Sequence, residues 1–206
     1  GVLANAKHFP GHGDTETDSH ETLPTVAFSS KRIDSVELYP YKALIKEGLS
    51  SVMVAHLNIP SLEPKQDYPS SISKNIVTTI LKERLGFKGL IFTDALTMKG
   101  AADFVFEGVD GNTEDSKNTI GNIDLAAFLA GNDVMLMSVD VASGISKLEY
   151  AYNNGIITEE RLAHSVKKVL QAKYKVGLNN YKPISLLNLS EDLNRLNDDM
   201  LYEELM

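Results

Sequence analysis

Lys7-His8-Phe9-Pro10-Gly11-His12-Gly13-Asp14-Thr15-Glu16-Thr17-Asp18-Ser19-His20 follows directly on a short apolar run, Val2, Leu3, Ala4 and Ala6. Three histidines, three acids and two glycines fall within these fourteen residues. Polar side chains of this kind are costly to bury, so they seldom gather in a segment whose only task is packing. The order is that of a buried strand running into a loop dense in chemistry. Asp18 and His20 are two residues apart, so an extended or irregular segment can turn them the same way. A carboxylate beside an imidazole orients the ring, selects its tautomer and raises its proton affinity. Such a pair suits general acid/base work.

Outward from this stretch, four apolar runs of strand length recur, at Val2–Phe9, Ser51–Leu57, Gly89–Leu96 and Asp133–Val139. They are continuous rather than alternating, as in strands buried on both faces. Helical patterns separate them. Arg32–Glu47 carries Ile33, Val36, Leu38, Tyr41, Leu44 and Ile45 near one face and stops at Gly48. Ser73 caps an expected helix through Ile76, Ile80 and Leu81, closed by Gly86. Asp124–Ala130 forms a short helix ending at Gly131, and Thr158 caps a longer one with Leu162, Val166, Val169 and Leu170. Alternating strands and helices imply an α/β fold with a parallel sheet. Four such units make half of a (β/α)8 TIM barrel, which typically takes ~250 residues. A small doubly wound α/β fold is the alternative.

With 206 residues and 43% hydrophobic content, the chain is long enough to bury a sizeable core. Its net charge of −8 argues against nucleic acid or an anionic membrane surface as partner. The absence of cysteine excludes disulfides and thiolate metal sites. No run approaches the ~20 apolar residues of a membrane span.

The motif Lys7-His8-Phe9-Pro10-Gly11-His12-Gly13, followed by Asp18-Ser19-His20, resembles the signature of the β-N-acetylhexosaminidases of glycoside hydrolase family 3. Ile91-Phe92-Thr93-Asp94-Ala95-Leu96-Thr97-Met98 is similar to the nucleophile strand of that family. The resemblance implies a retaining glycosidase that removes terminal β-linked N-acetylglucosamine and uses no metal or other cofactor. Asp94 is then the nucleophile, His20 the acid/base and Asp18 the group that orients it. Lys7 and His8 are expected to hydrogen-bond sugar hydroxyls. A structural ion pair is the alternative for Lys7, because a buried lysine needs a partner. His56 ends the second strand and is expected either to line the same mouth, binding substrate, or to be a satisfied core histidine. His12 is read as part of the turn chemistry that shapes the loop, and His164 as a surface residue.

The implied substrate is a GlcNAc-containing glycan, with peptidoglycan or cell-wall glycan turnover as the setting. The compartment stays open between the cytoplasm and periplasm of a bacterium. Residues 1–177 are expected to form the C-terminal half of the catalytic barrel, and residues 178–206 a linker and helix leading toward a second domain. The other half barrel is then expected from the rest of the protein or from a partner chain. Residues 107–121, rich in Gly, Asp, Asn and Ser, read as a long loop inserted after the Asp94 strand. Four rival readings stand beside this one. A metal enzyme would use His8, His12, Asp14, Asp18 and His20, but no helical His-x-x-x-His with a Glu is present. A phosphate-cradling loop lacks the Gly-Lys-Ser/Thr that should follow. A non-catalytic or glycan-binding half barrel has no need of the Asp18, His20 and Asp94 set. A GlcNAc phosphorylase suits a neutral histidine acid/base, which repels phosphate less than a carboxylate does.

Overall fold

Each expected apolar run supplies one strand: β1 (Asn5–Phe9), β2 (Ser51–Val54), β3 (Leu90–Ala95) and β4 (Val134–Leu136). This computed structural model describes residues 2–15, 22–102, 104, 121–183 and 185–206. The strands form one sheet in the order β1-β2-β3-β4, with every neighbouring pair parallel. Consecutive parallel neighbours joined by helical segments are the arrangement of a TIM-type barrel.

The helices are α1 (Ser30–Ser35), α2 (Tyr39–Lys46), a π-wound helix (Asn75–Arg84), α3 (Lys99–Ala102), α4 (Asn122–Ala130), α5 (Val141–Asn153), α6 (Glu159–Lys175), α7 (Leu189–Leu193) and α8 (Leu196–Leu205). The single helix expected over Arg32–Glu47 is two. Pro40 sits in the first turn of α2, where its missing N–H is tolerated, and the chain turns between Val36 and Leu38. The caps follow the sequence more closely. Ser73 Oγ accepts from the Ile76 amide at 3.1 Å, and Thr158 Oγ1 from that of Arg161 at 3.1 Å. Gly86 and Gly131 both take positive φ where their helices end. Helix α5 was not among the expected elements; Asp140 starts it by accepting from the amides of Ala142 and Ser143.

One apolar core joins β1, β2 and β3 to α1, α2 and the π-wound helix through Phe9, Ile33, Leu38, Val52, Leu81 and Ile91. A second cluster beneath α4 and α5 is built on Leu125, Phe128, Ala151 and Ile157. At the N-terminal end of the sheet, Asp133 ties α6 down. Its Oδ2 accepts from the Ile91 amide at 2.9 Å and from the Lys168 ammonium, and its Oδ1 accepts from Ser165 Oγ at 2.5 Å. Arg161 adds bonds to the carbonyls of Phe128 and Asn132, at 3.0 and 2.6 Å.

Candidate active site

The sheet's pairing loses its regular register twice, between Ala6 and Phe9 in β1 and between Phe92 and Ala95 in β3. These interruptions bracket Lys7, His8 and Asp94, and such irregularities re-aim side chains at strand ends. The Lys7–His8 and Phe9–Pro10 peptide bonds in the same stretch are cis. All three side chains line one cavity of about 780 Å³ at the C-terminal end of the sheet. This is the end at which barrel enzymes carry their chemistry.

Asp94 is mostly buried. Its Oδ1 accepts from the amide of Ala95 at 2.9 Å, and its Oδ2 lies 3.6 Å from His8 Nε2. One carboxylate oxygen is thus held by the backbone while the other faces the imidazole. Lys7 is exposed to the cavity, and no ion pair among the described residues involves it. His12 also lines the cavity, edge-on to His8 with ring centroids 5.8 Å apart. Its Nδ1 lies 2.7 Å from Thr15 Oγ1, which donates to the His12 carbonyl at 3.1 Å. This closes the turn read from the glycines around it.

His56 does not reach the cavity. It is fully buried, with Nδ1 2.7 Å from Ser71 Oγ and Nε2 3.0 Å from the Ala95 carbonyl. A carbonyl only accepts, so Nε2 carries the hydrogen and Nδ1 accepts from the serine hydroxyl. With both nitrogens engaged, His56 is corrected from a substrate contact to a core histidine supporting the residue after Asp94. Burial pushes its pKa below the ordinary value, against the pull of the Ala95 carbonyl and the Asp94 charge. His164 is exposed, as expected. Asp18 and His20 lie outside the described residues, as do residues 107–120 of the expected inserted loop.

The far wall of the cavity comes from α2 and the turn before it, which the sequence does not announce as part of the site. Glu37 and Tyr41 line it. The available signal was positional: Ile33, Glu37 and Tyr41 stand four apart, so a carboxylate interrupts the apolar stripe. Among the described residues no group of three His, Asp or Glu side chains converges as a metal-binding set. No helix among them is long and apolar enough to cross a membrane.

Residues 1–172 match the model of the glycosyl hydrolase family 3 N terminal domain. The chain belongs to glycoside hydrolase family 3. This family-3 chain is 31% identical over 195 residues to the Beta-hexosaminidase A of Pseudoalteromonas piscicida, covering 85% of itself and 30% of that relative. It is similar to the solved glycoside hydrolase family 3 beta-N-acetylglucosaminidase from Paenibacillus sp. str. FPU-7. There the TM-score is 0.78 and the identity 34%, over 90% of this chain and 33% of that one. A solved beta-glucoside phosphorylase superposes with a TM-score of 0.77 at 28% identity, over 92% of this chain and 33% of that one. The family-3 chain therefore spans about a third of the length of the relatives it matches.

Proposed function

We propose that this family-3 chain carries the nucleophile and acid/base of a retaining β-N-acetylglucosaminidase. The observation that carries the reading is Asp94, with its Oδ2 3.6 Å from His8, in a cavity it shares with Lys7. A retaining glycosidase needs a carboxylate that attacks the anomeric carbon and a proton donor for the departing oxygen. Asp94 Oδ2 forms the bond to carbon while the glycosidic C–O bond breaks. Protonated His20, oriented by Asp18, gives its proton to the leaving oxygen. Water then attacks the glycosyl ester, and neutral His20 takes the water's proton, which frees Asp94. Lys7 and His8 hydrogen-bond sugar hydroxyls and set the ring over Asp94. The names of the Pseudoalteromonas and Paenibacillus relatives support hexosamine as the sugar. A GlcNAc glycoside derived from peptidoglycan is the natural substrate of this reading.

Phosphorolysis is the second reading, supported by likeness to the beta-glucoside phosphorylase. Phosphate would replace water in the second step and release a sugar 1-phosphate. A non-catalytic half barrel is the third.

The test treats the full-length protein with a fluorinated GlcNAc donor that forms a slowly hydrolysed ester, then locates the adduct by peptide mass spectrometry. The adduct is expected on Asp94. Asp94→Asn should take no label and lose at least ~10³-fold in turnover. His20→Ala should slow glycosides with poor leaving groups far more than those with good ones. Product analysis with and without phosphate separates hydrolysis from phosphorolysis. A folded protein that takes no label overturns the covalent reading.

A further inference from the structure

Lys82 projects from the π-wound helix against the glycine turn that ends α4. A Cβ at Gly131 would come within 2.9 Å of its Nζ and 2.6 Å of Thr78 Oγ1, and Gly131 has φ of +120°. The amine therefore rests on backbone that only glycine leaves bare. Thr78 is engaged elsewhere, its hydroxyl donating to the Ala130 carbonyl at 2.7 Å. The Lys82 side chain is partly buried, and no ion pair among the described residues involves it.

Its surroundings are cationic. Arg161 and Lys168 on α6 repel the charged amine, His164 on the same helix lies within its field, and Asp133 attracts it. Asp133 is already engaged by the Ile91 amide, Ser165 Oγ and the Lys168 ammonium. Arg161 is fixed by Ser165 Oγ and by the carbonyls of Phe128 and Asn132, with its guanidinium 4.0 Å from the Phe128 ring centroid. Lys82, Arg161 and Lys168 thus share one carboxylate, which leaves two positive charges in excess. Burial, followed by repulsion from Arg161 and Lys168, pushes the Lys82 pKa down to about 8, against the pull of Asp133. Near pH 7.5 about a quarter of such amines carry a free lone pair, against roughly one in a thousand for an ordinary lysine.

We infer that Lys82 is a carbon dioxide acceptor, its Nζ forming a carbamate beside Arg161 and Lys168. Gly131 leads into β4, so this site lies at the opposite end of the sheet from Asp94 and is independent of the glycosidase reading. The neutral amine attacks the carbon of CO2. An N–C bond forms, one C=O π pair moves onto oxygen, and the nitrogen gives a proton to water. Nothing is oxidised or reduced. The product carries a negative charge where the ammonium carried a positive one, so both excess charges are cancelled. An acyl group on the same nitrogen would cancel only one. The cations that disfavour the ammonium favour the carbamate, which distinguishes this lysine from exposed ones. Relieving the repulsion between the π-wound helix and α6 should also stabilise the fold.

The test equilibrates the full-length protein near pH 7.5 with isotopically labelled carbon dioxide and bicarbonate. Carbamates are then trapped by alkylation with triethyloxonium and located by peptide mass spectrometry. Lys82 should carry at least ~10-fold more adduct than the exposed Lys31 and Lys167. Equal labelling of the three, or none on Lys82, overturns the inference. Thermal unfolding at constant pH gives a second readout. Carbon dioxide should raise the wild-type midpoint by about 2 °C and leave that of Lys82→Gln unchanged. If inorganic phosphate raises the wild-type midpoint through Lys82 and carbon dioxide does not, the cluster holds an oxyanion without a covalent bond, and the carbamate is ruled out.

Discussion

His56 is fully buried, and its Nε2–H reaches the carbonyl of Ala95, next to Asp94 in the chain. Burial depresses its pKa, so the folded state resists a proton that the unfolded chain takes up near pH 6.5. The stability this neutral ring contributes is therefore whole above that pH and is lost as the pH falls toward the folded value. Denaturant titrations at pH 7.5 and pH 5 should show wild type losing more stability than His56→Asn. The excess is at most ~1.4 kcal/mol per pH unit. A gap between the two proteins that does not change with pH would rule this out. The two fates weighed for His56 could not be separated by sequence, because an imidazole at a strand end fits a core or a mouth equally well. Only the partners on Ser71 and Ala95 decide it. That Lys7, His8 and Asp94 meet at one end of the sheet was legible because each stands near the C-terminal end of an apolar run of strand length. Arg32 and Glu37 were not, since an arginine and a glutamate five apart resemble a solvated helical face.

Asp133 has no exposed side-chain surface, and Lys168 beside it is 9% exposed. The ammonium compensates a carboxylate that also receives the Ile91 amide and Ser165. Replacing Lys168 by Met leaves that charge buried and unpaired, which should destabilise the fold by about 3 kcal/mol. Chemical denaturation measures it; a loss below ~1 kcal/mol would show that water or a neighbouring cation takes over. Element types were legible from apolar runs and caps, because strands buried on both faces and helices closed by glycine leave strong local patterns. Their limits were less so. The break between α1 and α2 comes at Pro40, inside what the apolar spacing reads as one helix. Helix α5 exposes Val141, Ile145, Tyr150 and Tyr152, which blurs the amphipathic signal.

Across the molecule, the parallel strands give the sheet two unlike ends. The Asp133 network holds the N-terminal end, and Asp94 stands at the other. Among the described residues β1 and β4 each pair on one side only. An apolar groove of about 530 Å³ runs between α5 and α6, lined by residues such as Leu148, Ile157 and Val169. Unpaired strand edges and an open apolar groove are liabilities in water, in keeping with a chain that spans a third of its relatives. The parallel sheet was legible in the alternation of strands and helices, whereas a barrel rather than a doubly wound fold followed from the family resemblance.

Arg32 bridges two acids beside the cavity, donating to Asp14 Oδ2 and to Glu37 Oε1 at 2.6 Å each, and only one of them is shielded: Asp14 is 48% exposed, Glu37 only 8%. Electrolyte reaches the first and not the second, since the Debye length shrinks to ~3 Å at 1 M. Ionic strength should then act as a dial on the mouth. Raising sodium chloride from low to molar concentration should progressively shrink the Arg32–Asp14 coupling in a double-mutant stability cycle, while the Arg32–Glu37 coupling persists. Thermal unfolding should move little over the same range, because a solvent-exposed ion pair contributes at most ~1 kcal/mol. Dissolved salt would thus set how firmly Asp14 is tied to the cavity wall, with Glu37 left in place.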